Sequence, residues 1–291
     1  MRVQIWKGVV IVVGVVSLLA AGPVWADEGD MVAIFKIKGA MPEAPDMMGM
    51  GALFGGEEPT NMFDLLKHLK HARGDKSLRA CVFEIEDAAL GLGQIQELRA
   101  QFKALRAADK DVLVYAETLH NGTLLLGSAA SELVLMPRGE VAFIGMYGEG
   151  LYFKNLLEKI GLQADIIHCG AYKSAGEPLY RTGPSPEADE QTNRLLDSEF
   201  QQLLDEIADS RGLTPDRVRE LVDVGLFSGK EALDAKLVDK LEYREQFIEG
   251  VKKRYGGGTK FVSDYGQKDK TTIDLADPFA FFKLFSNVMK G

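Results

Sequence analysis

Short apolar runs alternate with helical patterns through most of this chain. The segment MVAIFKIKG (31–39) alternates apolar and polar residues, which is typical of a strand with one buried face. Further strands are predicted at 79–87, 111–118, 132–137, 140–145 and 164–170.

Apolar residues at helical spacing separate these strands. Within 90–110, the residues Ile95, Leu98, Phe102 and Leu105 recur every three or four positions. Other helices are predicted at 62–73, 122–130, 151–161, 186–212, 214–225 and 228–241. Alternating strands and helices indicate an α/β fold, with a mostly parallel sheet and flanking helices.

The first 26 residues follow the three-part pattern of a secretory signal peptide. Arg2 and Lys7 precede an uncharged apolar run, and the small residues Val24 and Ala26 precede acidic ones. The apolar run, 8–22, is shorter than the roughly 20 residues of a spanning helix. We therefore predict cleavage after Ala26 and export to a periplasm-like space, with an uncleaved inner-membrane anchor as the alternative.

The predicted domain covers residues 27–255. It contains one long segment without a period, 40–61, which is rich in Met, Pro and Gly and is predicted to be a loop. The segment GGGTK (256–260) begins a predicted linker, and 256–291 ends in the phenylalanine-rich helix DPFAFFKLFSNVMKG. A helix this apolar is expected to pack on its own domain, a partner or a continuation of the chain, and it allows association with a membrane.

Composition and spacing exclude several function classes. The net charge of −9 disfavours nucleic acid as a partner. Cys81 and Cys169 lie in apolar runs and are predicted to be small buried residues, with a disulfide between them as an open alternative. His68 and His71 are three residues apart but have no carboxylate-rich partner segment. No metal is predicted, and no cofactor is predicted because nucleotide-binding motifs are absent from the sequence.

One lysine is set in unusual surroundings. In IIHCGAYKSAGEP (166–178), Lys173 follows an apolar run, and the nearest acid is Glu177, four residues away. In one interpretation, Lys173 lies in an apolar pocket, where its neutral amine takes a proton from a hydroxyl. In the other, Lys173 forms a structural ion pair with Glu177 or another carboxylate.

The order of elements and two segments resemble the bacterial signal peptide peptidase family of serine/lysine proteases, in its long tandem-repeat form. The segments are GLYFKNLLEKIGLQADIIHCGAYKSAGEP and LFSGKEALDAKLVDKL. The resemblance extends from about residue 31 to about residue 255. It implies the crotonase-like fold shared with Clp protease, peptidase activity on small apolar peptides such as cleaved signal peptides, and Lys173 as the general base.

The chain departs from this family at the nucleophile. The family serine lies in a Ser-Gly-Gly turn, and by alignment of elements Asn121 stands in its place. Ser128 is expected to be a packing residue, the side chain of Ser174 is expected to point away from that of Lys173, and Thr123 is a weaker alternative still. The turn ALGLG (89–93) stands where the family's oxyanion donors lie and is expected to be vestigial.

Long members of this family carry two copies of the fold, and the first supplies the lysine while the second supplies the serine. The chain resembles the first copy. The resemblance therefore implies a serine-bearing second copy as partner, in the same longer chain or another chain, and a homo-oligomer. A noncatalytic assembly module is the alternative. A coenzyme A-dependent enzyme is disfavoured, because an exported compartment lacks that cofactor.

Overall fold

The structure is a computed structural model that describes residues 31–44 and 60–266. The predicted signal peptide, most of the methionine-rich loop and the phenylalanine-rich helix lie outside these residues. The strands are β1 (Met31–Ala40), β2 (Leu78–Ala89), β3 (Asp111–His120), β4 (Glu132–Phe143), β5 (Gly225–Ser228), β6 (Lys240–Leu241) and β7 (Lys260–Val262). The helices are α1 (Met62–Gly74), α2 (Leu92–Arg106), α3 (Asn121–Ser128), α4 (Lys154–Lys159), α5 (Glu177–Tyr180), α6 (Pro186–Arg211), α7 (Pro215–Val224), α8 (Gly229–Asp234) and α9 (Arg244–Tyr255).

The seven strands form one sheet with the order β5-β4-β3-β2-β1-β7, and β6 also pairs with β4. All pairings are parallel except that of β4 with β5. The predicted fold class, α/β with a mostly parallel sheet and flanking helices, is therefore confirmed.

Helices cover both faces of the sheet, and successive side chains of β1 point alternately to the two faces. Ala33, Phe35 and Ile37 lie in the larger core beneath α1, α2, α3, α6 and α7, whereas Val32 points to the opposite face. On that second face, α9 packs Phe247 onto the sheet. Strands with two buried faces are typical of parallel sheets, because helices cover both sides.

Several predicted elements differ from the structure. The two strands predicted at 132–137 and 140–145 are the single strand β4, because Gly139 lets the chain pass close to the backbone of Glu117 on β3, with a register shift there. The segment 164–170 is not a strand, and the predicted helix at 151–161 is limited to α4. The start of the predicted linker contributes β7, which pairs with β1.

No helix among residues 31–44 and 60–266 combines the length and the apolar character that a membrane crossing requires.

Candidate active site

The carboxyl ends of β2, β3 and β4 meet at one edge of the sheet, since these strands are parallel. His120 at the end of β3 pairs with Ala142 near the end of β4. Its Nε2 atom also lies 3.1 Å from the carbonyl oxygen of Ala88 near the end of β2. The start of α3, the turn before α2 and the exit from β4 are therefore neighbours.

Asn121, the first residue of α3, is bonded to the exit from β4 through both ends of its side-chain amide. Its Nδ2 atom donates to the carbonyl oxygen of Gly145. Its Oδ1 atom accepts a 3.1 Å hydrogen bond from the amide of Ile144. Gly145 has a φ of +75°, a left-handed conformation that favours glycine. At the position where the resemblance implies a serine, the chain thus has a side-chain amide that is hydrogen-bonded to the backbone at the exit from β4.

Two hydroxyl groups of α3, those of Ser128 and Thr123, have structural roles. Ser128 is buried, donates to the carbonyl of Leu125 at 2.8 Å and accepts from Arg99 at 2.8 Å. Thr123 is buried and accepts from the amide of His120 at 2.9 Å, which caps the start of α3. The interpretation of Ser128 as a packing residue agrees with these contacts.

The turn at 89–93 begins α2. The amide of Gly91 donates to Oε1 of Gln94 at 3.0 Å, and Nε2 of Gln94 donates to the carbonyl of Met41 at 2.9 Å. The amide of Gly91 is therefore used by the start of α2.

Beyond β4 the chain projects as a long segment, residues 144–184, which we call the arm. Apart from α4 and α5 it has no regular structure, and Glu177 is its one buried residue. Eleven large apolar side chains of the arm are exposed: Ile144, Tyr147, Leu151, Phe153, Leu156, Ile160, Leu162, Ile166, Ile167, Tyr172 and Leu179. The prediction of a buried strand at 164–170 was wrong, because its apolar residues have no sheet to join and Ile167 is 97% exposed. An exposed apolar surface of this extent is typical of interaction sites.

Lys173 lies on this arm and its side chain is exposed, so the predicted apolar pocket does not exist within the described residues. Its amide donates to the carbonyl of Gly170 at 3.2 Å in a tight turn where Gly170 has a φ of +87°. The hydroxyl of the preceding Tyr172 donates to Glu190 of α6 at 2.9 Å. The backbone at Lys173 is therefore fixed, while its amine has no hydrogen-bond or ion-pair partner in the part of the chain that the structure describes.

Glu177 does not pair with Lys173. Its carboxylate accepts a 2.8 Å hydrogen bond from the amide of Ser185, and Arg181 lies 3.9 Å away. The hydroxyl and then the amide of Ser185 hold the pKa of Glu177 below its ordinary value. The interpretation in which Lys173 forms an ion pair with Glu177 is therefore wrong.

The remaining candidates for metal and redox chemistry are separate from this edge. No cluster of three His, Cys, Asp or Glu side chains suited to a metal occurs among residues 31–44 and 60–266. Cys81 and Cys169 are both free thiols, which excludes a disulfide between them here. Burial raises the pKa of Cys81 to about 12, whereas Cys169 is exposed on the arm, contrary to the prediction that it is buried.

The fold and the site together define a parallel α/β domain that carries an exposed lysine on a projecting apolar arm. The chain belongs to peptidase family S49, whose family model matches residues 104–256. The matched residues include α3, the whole arm and Lys173. The resemblance seen in the sequence is therefore confirmed at the level of the family.

Similarity to known proteins extends beyond the matched domain. The chain is 28% identical over 259 residues to Protease 4 of Salmonella typhi, which covers 82% of this chain and 42% of that protein. It is 24% identical over 192 residues to the chloroplastic serine protease SPPA of Arabidopsis thaliana, which covers 66% of this chain and 28% of that protein. The match thus spans less than half the length of either relative. Among solved structures, a membrane-bound stomatin-specific protease, 1510-N, aligns with a TM-score of 0.45 and 10% identity over 76% of this chain and 84% of that chain.

Proposed function

We propose that this chain is the lysine-bearing part of an exported serine peptidase that degrades small apolar peptides such as cleaved signal peptides. The observation that carries this proposal is the placement of Lys173, in an S49 domain, on a hydrogen-bonded turn of an arm whose apolar side chains are exposed among the described residues. The serine comes from a second copy of the fold, in the same longer chain or in another chain.

The chemistry requires that the partner cover Lys173. An ordinary lysine has a pKa near 10.4 and is protonated at neutral pH. Desolvation favours the neutral amine, which can then act as a base. In the assembled site, Nζ of Lys173 takes the serine proton while the serine oxygen attacks the scissile carbonyl carbon. The resulting ammonium gives that proton to the leaving amine, and water then hydrolyses the acyl-enzyme ester.

The arm supports a partner of this kind. Its eleven exposed apolar side chains offer a surface that a folded domain could bury, and Lys173 lies among them. The same contact would exclude water from the amine and strengthen the electrostatic interactions inside the site. Repeated between identical chains, this contact gives a homo-oligomer. The predicted export leader places the assembly in the periplasm, with anchoring at the inner membrane as the alternative.

A noncatalytic assembly module is the second candidate. The contacts of Asn121 favour it, because the amide at the expected serine position is committed to the backbone of Ile144 and Gly145. In this case the arm would bind its partner without any proton transfer by Lys173.

Reconstitution separates the two candidates. The chain is mixed with an S49 domain that carries the Ser-Gly-Gly turn, and cleavage of a fluorogenic apolar peptide is measured. Cleavage by the mixture, abolished by Lys173→Ala and kept by Lys159→Ala at another exposed lysine of the arm, supports the peptidase. Since Lys173 is exposed, Lys173→Ala is expected to change the stability of the isolated chain by less than about 0.5 kcal/mol. A complex that forms and cleaves equally well with Ala at position 173 would refute the role of Lys173 as the base.

A further inference from the structure

The arm is held at both of its ends by single side chains. At the exit, the amide of Asn121 bonds to Ile144 and Gly145. At the return, the carboxylate of Glu177 bonds to the amide of Ser185, the residue that caps α6. Between these points, the amide of Phe153 donates to the carbonyl of Pro178 at 2.6 Å and joins the outgoing chain to the returning chain.

The exit needs such a bond because, of residues 144–151, only Met146 packs against the core. Ile144 is 72% exposed, and residues 147–151 are exposed as well. Apart from the contact of Met146, hydrophobic burial therefore contributes little to the direction in which the chain leaves β4. Hydrogen bonds to a rigid element are the remaining source of order, and α3 is rigid because Thr123, Leu124, Leu125 and Leu126 are all buried.

An asparagine suits this position because the two partners are of opposite type. The amide of Ile144 is a donor and the carbonyl of Gly145 is an acceptor, and a side-chain amide satisfies both at once. A carboxylate of the same shape would accept from Ile144 but repel the carbonyl oxygen of Gly145. A serine is shorter and has a single oxygen.

We propose that Asn121 is a positioning residue that fixes the root of the arm and thereby sets the place of Lys173 relative to the sheet. The consequence for catalysis rests on the proposed function, but the positioning itself is a property of the isolated chain. The two are therefore tested separately.

The native thiol of Cys169 provides the measurement. It is exposed on the arm four residues before Lys173, while the only other thiol, that of Cys81, is buried. A spin label on Cys169 and a second label on a cysteine introduced at Lys252 of α9 report the distance between the arm and the sheet. In the unchanged chain we expect one narrow distance distribution, measured by pulsed electron resonance.

Three variants of the full chain are compared. Asn121→Ala loses both bonds and Asn121→Asp loses the donor, and in each we expect the distribution to widen by about twofold or more as the root becomes free to sample other directions. Thr123→Val is the matched control, since it removes the α3 cap without contacting the arm, and its distribution stays narrow. If circular dichroism shows that the other two Asn121 variants do not fold, Asn121→Ser, which retains one oxygen, replaces them in the comparison.

The amide of Ile144 gives a second readout by hydrogen exchange. In Asn121→Ala its exchange should be roughly tenfold faster, because its acceptor is gone. Folded Asn121 variants with the original distance distribution and unchanged Ile144 exchange would overturn the positioning role. If the Asn121 variants widen the distance distribution but the reconstituted complex of the unchanged chain is inactive, the positioning role is supported and only the proposed function is refuted.

Discussion

The guanidinium of Arg99 on α2 forms a 2.6 Å ion pair with the carboxylate of Glu206 on α6. Arg99 is 2% exposed and also bonds to the hydroxyls of Ser128 on α3 and Ser210 on α6. One side chain thus joins three helices over the core beneath the candidate site. The cluster contacts α3 toward the end of the helix, at the carbonyl of Leu125 and the hydroxyl of Ser128.

Arg99→Ala is expected to lower the free energy of unfolding by about 3 kcal/mol, because it leaves Glu206 and Ser128 without their buried partner. Urea denaturation at pH 7 measures the change. Lys103→Ala is the control, since Lys103 forms an exposed 3.8 Å pair with Asp209 on the same two helices. That variant should lose less than about 1 kcal/mol. Equal losses in the two variants would contradict a special role for the Arg99 cluster.

The return of the arm is expected to loosen at acid pH. Ser185 holds the pKa of Glu177 below its ordinary value, so this contact stabilises the arm above the unfolded pKa of about 4.3. The stabilisation is lost as the pH falls through the lower, folded pKa, where the carboxylate takes up a proton. A spin label on Cys169 should become more mobile as the pH falls below about 4.3 and through the lower, folded pKa.

Glu177→Gln tests the origin of that change, because a glutamine cannot titrate. Its label mobility should not depend on pH, whereas Glu158→Gln at an exposed acid of the same arm should behave like the unchanged chain. Circular dichroism at each pH identifies global unfolding. A mobility change that persists in Glu177→Gln would assign the effect to another group.

The isolated chain is expected to lack peptidase activity. Ser128 is committed to Leu125 and Arg99, and Asn121 bonds to the backbone of the arm, so neither position supplies a free serine hydroxyl for Lys173. A fluorophosphonate that labels active serines should therefore leave the purified chain unmodified, while a serine-bearing S49 domain serves as the positive control. Labelling of a serine in the folded chain, lost on unfolding, would show that the nucleophile is present after all.

The arm is expected to drive self-association of the purified chain. Ile167→Glu places a charge on the most exposed apolar side chain of the arm and should shift the sedimentation coefficient toward the monomer. Lys253→Gln changes the net charge by the same amount on α9 and should leave association unchanged. If the two variants sediment alike, the contact surface lies elsewhere.

The sequence by itself determined the elements that bury their apolar faces. The alternation in β1 and the helical spacing of Ile95, Leu98 and Phe102 each specify a core-facing side, and the structure has both elements there. Local pattern is sufficient in such segments because the burial of each side chain follows from its own periodicity. Lys173 was singled out from a motif whose residues are adjacent in the chain, and its catalytic role stays a prediction.

Tertiary structure alone decided what surrounds these residues. The apolar run at 164–170 is typical of a buried strand, yet it lies on the exposed arm. The pattern of residues indicates that a segment is apolar, but it does not indicate which other part of the protein packs against that segment. Asn121 meets Ile144 and Gly145 across 23 and 24 residues, and Glu177 meets Ser185 instead of the lysine that is closer in sequence. The partners of Asn121 follow from how parallel strands end at one edge of the sheet. Hydrogen bonding between groups that are not neighbours in sequence leaves no periodic signal in the chain.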